Sequence, residues 1–237
     1  HIVSEMHQFQ QEYPHFITLN NAQEHFPYQH IPSPGKCSSD EEKEVPCKQW
    51  YLTLPPADHT ASSTADHTAS STADRTASST ASSTADRTPR STDGISDDMS
   101  SSSLPEVFFS GAVHGNERIG PTTTIELIRL FTTNVKNLTS DTIDTAPPFH
   151  HILTNWLERL RTTRLITIMP TANALGYYQN VREENGIDPN RDFPWGVASN
   201  DCMQTTAARA LNSLWRERMF QLSITFHGGM RAIAYEW

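Results

Sequence analysis

A three-layer α/β/α fold, with helices on both faces of a mixed, mostly parallel sheet, is expected of this chain of 237 residues. Three observations predict it. Short apolar runs of strand character alternate with longer stretches of helical periodicity, the pattern of parallel strands joined by crossover helices. Some runs are apolar at nearly every position, as in strands covered from both sides. The length suits one domain, or at most two small ones.

Ile2 to Tyr13 opens the chain as a helix, with Ile2, Met6, Phe9 and Tyr13 at helical spacing and Pro14 as its stop. Strands are expected at Phe16-Ile17-Thr18-Leu19 and from Gln49 to Leu54. Between them, Cys37 and Cys47 flank a charged loop from Ser38 to Glu44. They are either bridged, if their strands run side by side, or two free thiols. With Cys202 they are too few for a disulfide framework, and their spacing fits no structural zinc module.

Residues 57–103 divide the domain into a first part, 1–56, and a second, 104–237. They repeat the octad Ala-Asp-His/Arg-Thr-Ala-Ser-Ser-Thr and hold no Leu, Val, Phe, Tyr or Trp. Such a segment cannot offset an ordering entropy of about 1–2 kcal/mol per residue, so a disordered insertion is expected. His59 and His67 belong to the copied tract, which explains them better than metal binding.

Glu106 to Ala112 is the nearly all-apolar strand. A helix follows from Gly120-Pro121, with Pro in the first turn and Ile125, Leu127, Ile128 and Phe131 inside. Phe149 to Leu160 is a second helix; His150 and His151 at its start are read as solvent-exposed. Leu165 to Met169 is a strand ended by Pro170, and Cys202 to Met219 another helix. Trp156 and Trp215 fall on helix core faces. Leu222 to Phe226 reads as another buried strand and Ala232 to Trp237 as one more.

A formal net charge of −9 argues against nucleic-acid binding, which wants a basic face. No apolar run approaches the roughly 20 residues needed to span a bilayer. The chain starts at His1 without an apolar leader and ends straight after an apolar run, so a piece of a longer gene product is expected. The sequon Asn137-Leu138-Thr139 points toward the secretory route, with a cytoplasmic location left open.

In parallel sheets, sites lie beyond the carboxyl ends of strands. There the sequence reads His114-Gly115-Asn116-Glu117 after one strand and His227-Gly228-Gly229 after another. Two imidazoles and one carboxylate on adjacent strand ends match the three-ligand, open-position pattern of a catalytic zinc.

Between them, Asn185-Gly186-Ile187-Asp188-Pro189-Asn190-Arg191-Asp192-Phe193 resembles the G-V-D-L-N-R-N-F signature of the zinc metallocarboxypeptidases of the carboxypeptidase A and B type. Met169 to Tyr177 is similar to the family's N-P-D-G-Y turn with two substitutions. The order H-x-x-E, N-R and strand-terminal His is also the family's, and the resemblance spans the chain apart from the repeat. It implies that His114, Glu117 and His227 hold one zinc ion. It further implies that Asn190 and Arg191 bind the carboxylate at a substrate's C-terminus, and that Arg182 polarises the scissile carbonyl. A structural ion pair of Arg191 with Asp188 or Asp192 is the competing reading. The family's arginine between the ligands is Asn116 here, with Arg118 following Glu117 instead.

The implied activity is zinc-dependent removal of C-terminal residues from peptides or proteins. The family's general-base glutamate would fall beyond residue 237, and Glu236 comes too early for it. This chain is therefore expected to bind zinc but to turn over poorly. A zinc amidohydrolase of N-acyl amino acids and an inactive zinc- or peptide-binding relative are the alternatives.

Overall fold

The computed structural model describes residues 2–39, 43–55, 104–138, 148–194 and 201–235. Helix α1 (Ile2–Glu12) forms around Met6 and Phe9, which are three residues apart and buried on one face. The N–H groups of Phe16 and Ile17 both bond to the Tyr13 carbonyl. That helix-ending turn consumes both residues, so β1 (Thr18–Asn21) starts two positions later than expected. A short α2 (Ala22–His25), capped by Asn21, leads toward a hairpin of β2 (Lys36–Ser38) and β3 (Glu44–Pro46). Cys37 and Cys47 are bonded across this hairpin, which resolves the open alternative in favour of a bridge. Strand β4 (Trp50–Leu54) then pairs antiparallel with β1.

The second part builds the parallel layer. Strand β5 (Glu106–Gly111), helices α3 (Ile119–Leu138) and α4 (Pro148–Thr163), and strand β6 (Leu165–Met169) make one crossover. After α5 (Ala174–Gln179) and α6 (Thr206–Glu217), strand β7 (Phe220–Phe226) joins the other edge of β5. The order is β1-β4-β6-β5-β7, with β5 parallel to both neighbours and β4 antiparallel to β6. The first crossover thus runs from β5 to β6 and the second from β6 back past β5 to β7, so the chain reverses direction at β5, where α/β sheets place their sites beyond the carboxyl ends of the strands.

Strand alternation sorts the core into two halves. Leu52, Leu54, Ile166 and Ile168 pack with Met6, Phe9, Ile125, Ile128, Phe131 and Leu157, from α1, α3 and α4. Tyr51, Phe108 and Met169 pack with Ala22, Ala210, Leu211 and Leu214, from α2 and α6. Each large apolar side chain so buried contributes about 1.5–3 kcal/mol. The outcome is the three-layer, mixed-sheet architecture that the alternation of elements predicts.

Several local expectations give way. Helix α6 begins at Thr206 rather than Cys202: Met203 is left-handed (φ 56), and the Thr205 side chain caps the helix by accepting from Ala208 N–H. Strand β7 is exposed rather than buried, because among the described residues it is an edge strand paired only with β5. Residues 232–235 are exposed and form no strand. Trp156 and Trp215 are 58% and 46% exposed rather than core. Their neighbours Leu157 and Leu214 take the inward positions, and a helix rotates about 100° per residue.

The repeat at 57–103 with His59 and His67, Thr139 of the sequon, Glu236, and the side chains of His150 and His151 lie outside what is described. Among the described residues no helix is long and apolar enough to cross a membrane.

Candidate metal centre

The chain leaves β5 through Ala112, whose left-handed backbone (φ 46) bends it across the strand ends. Glu117 N–H closes the turn on the His114 carbonyl at 3.1 Å. This places the imidazole and the carboxylate of the H-x-x-E motif side by side, with His114 Nδ1 2.8 Å from Glu117 Oε1. From β7, His227 Nδ1 comes within 2.8 Å of Glu117 Oε2, and Gly228 N–H donates to the same oxygen at 2.9 Å. The imidazole rings lie 4.9 Å apart, centre to centre.

One donor atom from each of His114, Glu117 and His227 lies within 4.8 Å of the other two. His114 is buried and His227 exposed, so the trio opens to solvent on the β7 side. Two imidazole nitrogens and a carboxylate are an ordinary zinc donor set, with bonds of about 2.0–2.2 Å. An ion so bound holds its donors about 3.4 Å apart, about half an ångström or a little more beyond the 2.8 Å contacts. The residues fit the metal. Burial alone would raise the Glu117 pKa, but the Gly228 N–H, His114 and His227 outweigh it and hold the carboxyl below its usual value.

Behind His114 stands a residue whose role the sequence reading missed. Asp188 Oδ1 lies 3.1 Å from His114 Nε2, while its Oδ2 accepts from Arg182 Nε and Nη2 at 3.1 and 2.9 Å. A carboxylate there keeps the proton on Nε2 and leaves the Nδ1 lone pair for a metal. Burial pushes the Asp188 pKa up, but Arg182, the Asn190 N–H and His114 pull it below the usual range. The available signal was an Asp two residues before the Asn-Arg pair; nothing local says which imidazole it meets.

Arg182 also lies near the centre, with Nη1 3.6 Å from Glu117 Oε1. Asn190 and Arg191 sit on a 3-10 turn (Pro189–Arg191) capped by Asp188, and both are exposed. Arg191 Nη1 donates to the Asn190 carbonyl at 2.9 Å. Neither carboxylate weighed as its ion-pair partner is free. Asp188 serves His114 and Arg182, and Asp192 accepts from Gln204 N–H, Thr205 N–H and the Thr205 hydroxyl at 2.9, 2.6 and 2.7 Å. Arg118 engages α5 rather than the trio, donating to Asn180 Oδ1 and lying 4.0 Å over the Tyr177 ring.

The segment after β6 supports the centre. Asn173 caps α5, and its Nδ2 donates to the Arg182 carbonyl at 3.2 Å, which also accepts from Gly115 N–H at 3.1 Å. A Cβ at residue 115 would come within 2.0 Å of the Gly176 carbonyl carbon, so only glycine permits this approach.

Residues 95–237 match the family model described as zinc carboxypeptidase, more than half of the chain. Among solved structures, a metallo-carboxypeptidase from Burkholderia cenocepacia is similar at 11% identity and a TM-score of 0.50, covering 95% of this chain and 39% of that one. The carboxypeptidase A from Helicoverpa armigera is similar at 14% identity and a TM-score of 0.50, covering 95% of this chain and 44% of that one. At these identities the likeness is one of fold. The chain spans about two-fifths of the length of these neighbours. No curated protein matches it at a significant level.

Proposed function

Because the chain belongs to the zinc carboxypeptidase family, we propose that His114, Glu117 and His227 hold one zinc ion and that the protein removes C-terminal residues from peptides or proteins. The observation that carries this reading is the convergence of the three donors beyond two adjacent strand ends, with one side open. Bound there, zinc would polarise a carbonyl and lower the pKa of a water toward about 7.

The chain's own residues supply the rest. Asp188 fixes the His114 ring. Arg182, beside the centre, donates to the carbonyl oxygen as charge develops on it; losing such a donor costs about 2.7–4 kcal/mol of barrier. Arg191, its guanidinium uncommitted to Asp188 or Asp192, grips the terminal carboxylate with Asn190. A planar fork makes two parallel bonds to a carboxylate that an internal peptide bond does not offer, and this selects the chain end.

Proton transfer from water to the leaving amine needs a further carboxylate. Glu117 is committed to the metal and Asp188 to His114 and Arg182, so neither is free as general base. Losing a general base typically costs about 10²–10⁴ in rate, so the rate of turnover depends on a carboxylate other than these two. The Cys37–Cys47 bond favours an oxidising compartment, in line with the secretory route.

The test is zinc uptake by dialysis and metal analysis, followed by release of a C-terminal residue with and without chelator. A chain that takes up no zinc, or hydrolysis that a chelator leaves unchanged, would falsify the reading.

A further inference from the structure

Asp188 belongs to a loop tied to one helix terminus by two carboxylates that no step above uses. At one end, Glu184 is 3% exposed, and its carboxylate accepts from the N–H groups of Thr206 and Ala207, the second at 3.1 Å. At the other end, Asp192 is 2% exposed and accepts from Gln204 N–H, Thr205 N–H and the Thr205 hydroxyl. Both therefore close on the start of α6, where unsatisfied N–H groups and the helix dipole favour negative charge.

The path between the two anchors has little slack. Asn185 (φ 52) and Gly186 (φ 83) form a tight turn, closed by Glu184 N–H on Ile187 O at 2.9 Å and the reverse bond at 3.1 Å. Asp188 follows at once and starts the 3-10 turn that ends at Asp192. On its outer side the turn is pinned to the disulfide hairpin's approach by Asn185 Nδ2, which donates to Pro34 O at 3.0 Å.

We propose that Glu184 and Asp192 are positioning residues of the metal centre: by fixing both ends of the 184–192 loop on α6, they set Asp188 and, through it, the orientation of His114. The proposal rests on the metal-centre reading. Thr205 caps α6 at the Ala208 N–H alone, and the remaining N–H groups at this terminus go to two carboxylates from the two ends of one loop, so the bonds that complete the cap also fix the loop. Two carboxylates buried beside each other are costly, and burial together with the Asp192 charge indeed pushes the Glu184 pKa up against the pull of the N–H groups. What the second and third caps secure is the loop.

The experiment compares Glu184→Gln and Asp192→Asn with the unmodified chain by zinc competition against a chromophoric chelator, by ¹⁵N shifts of the His114 imidazole, and by melting. Both variants should bind zinc about 10-fold more weakly. Without metal, the His114 nitrogens should move from one fixed tautomer toward an average of two, a change that loss of stability alone does not produce. Folded variants with unchanged affinity and unchanged imidazole shifts overturn the proposal.

If Glu184→Gln does not fold, Thr206→Pro removes the Thr206 N–H and side-chain hydrogen bonds to Glu184 while leaving Glu184 and the Ala207 N–H in place. Thr206 is the first residue of α6, where proline is tolerated, and Thr205 (φ −80, ψ 149) already has the backbone that proline requires before it. This variant should weaken zinc binding in the same direction, and no weakening counts against the proposal. If the unmodified chain binds no zinc, the metal reading fails, and the imidazole shifts alone then decide the positioning role.

Discussion

Glu117 meets both histidines and a backbone N–H, so its replacement tests the centre most directly. Glu117→Gln should lower zinc affinity by more than about 100-fold, since even an outer partner of a ligand costs about 10–100-fold. Asp188→Ala should fall within that lower range, read by the same chelator competition. The Asp188 carboxyl is held below its usual value, chiefly by Arg182 once burial is overcome. Its contribution to stability is therefore complete above the ordinary carboxylate pKa of about 3.9 and is lost only as pH falls through the lower folded value. The ¹³C titration of this carboxyl should have its midpoint below 3.9, and Arg182→Ala should move it up; a midpoint above 3.9 in the unmodified chain would contradict the observed contacts.

Among the elements, the passage between β5 and α5 has the least tolerance. Gly115→Ala places a methyl against backbone atoms of Gly176 and Tyr177, which cannot swing aside as a side chain would. The substitution should destabilise by about 1–3 kcal/mol, a melting shift of roughly 2–12 °C for a chain of this size, and weaken zinc binding as His114 moves with it. Unchanged melting would mean that α5 is free to retreat.

The elements themselves were legible where periodicity is local. Helix α1, strand β5 and strand β6 lie within a residue of their expected bounds, because each pattern is carried by its own side chains. Strand β1 and helix α6 were displaced by a turn bond to Tyr13 and a cap at Thr205, which a hydrophobic pattern does not encode.

Over the whole molecule, the described residues that flank the repeat, Leu54 and Glu106, lie at the end of the sheet away from the candidate metal centre. Leu54 pairs with Ile166 and Glu106 with Leu165, so the flanks of the insertion straddle the first residues of β6, two strand spacings or about 10 Å apart. His114 and His227 follow the opposite ends of β5 and β7. Six Gly/Ser residues in place of 57–103 can span that gap. The shorter connection should leave zinc affinity within twofold and raise stability by about 1–2 kcal/mol through loop closure. A tenfold loss of affinity would instead give the repeat a part in the centre.

The candidate site divides along similar lines. His114, Glu117 and His227 were legible as short motifs at strand ends, and the structure brings them together, while the Asn190-Arg191 pair was marked only by its resemblance to a family signature and lies on an exposed 3-10 turn. The link from Asp188 to His114 and the two anchors on α6 join residues far apart in the chain, and no spacing rule pairs them.

The amino-acid order alone determined which candidate donors stand beyond strand ends and most of the run of strands and helices that carries them, since periodicity and motif spacing are properties of neighbours. Which carboxylate stands behind which imidazole, whether Cys37 meets Cys47, and which face of Trp156, Trp215 and β7 meets water were settled only by folding. Those outcomes depend on distant segments sharing a volume, and the energy of each contact exists only once the sheet has assembled around β5.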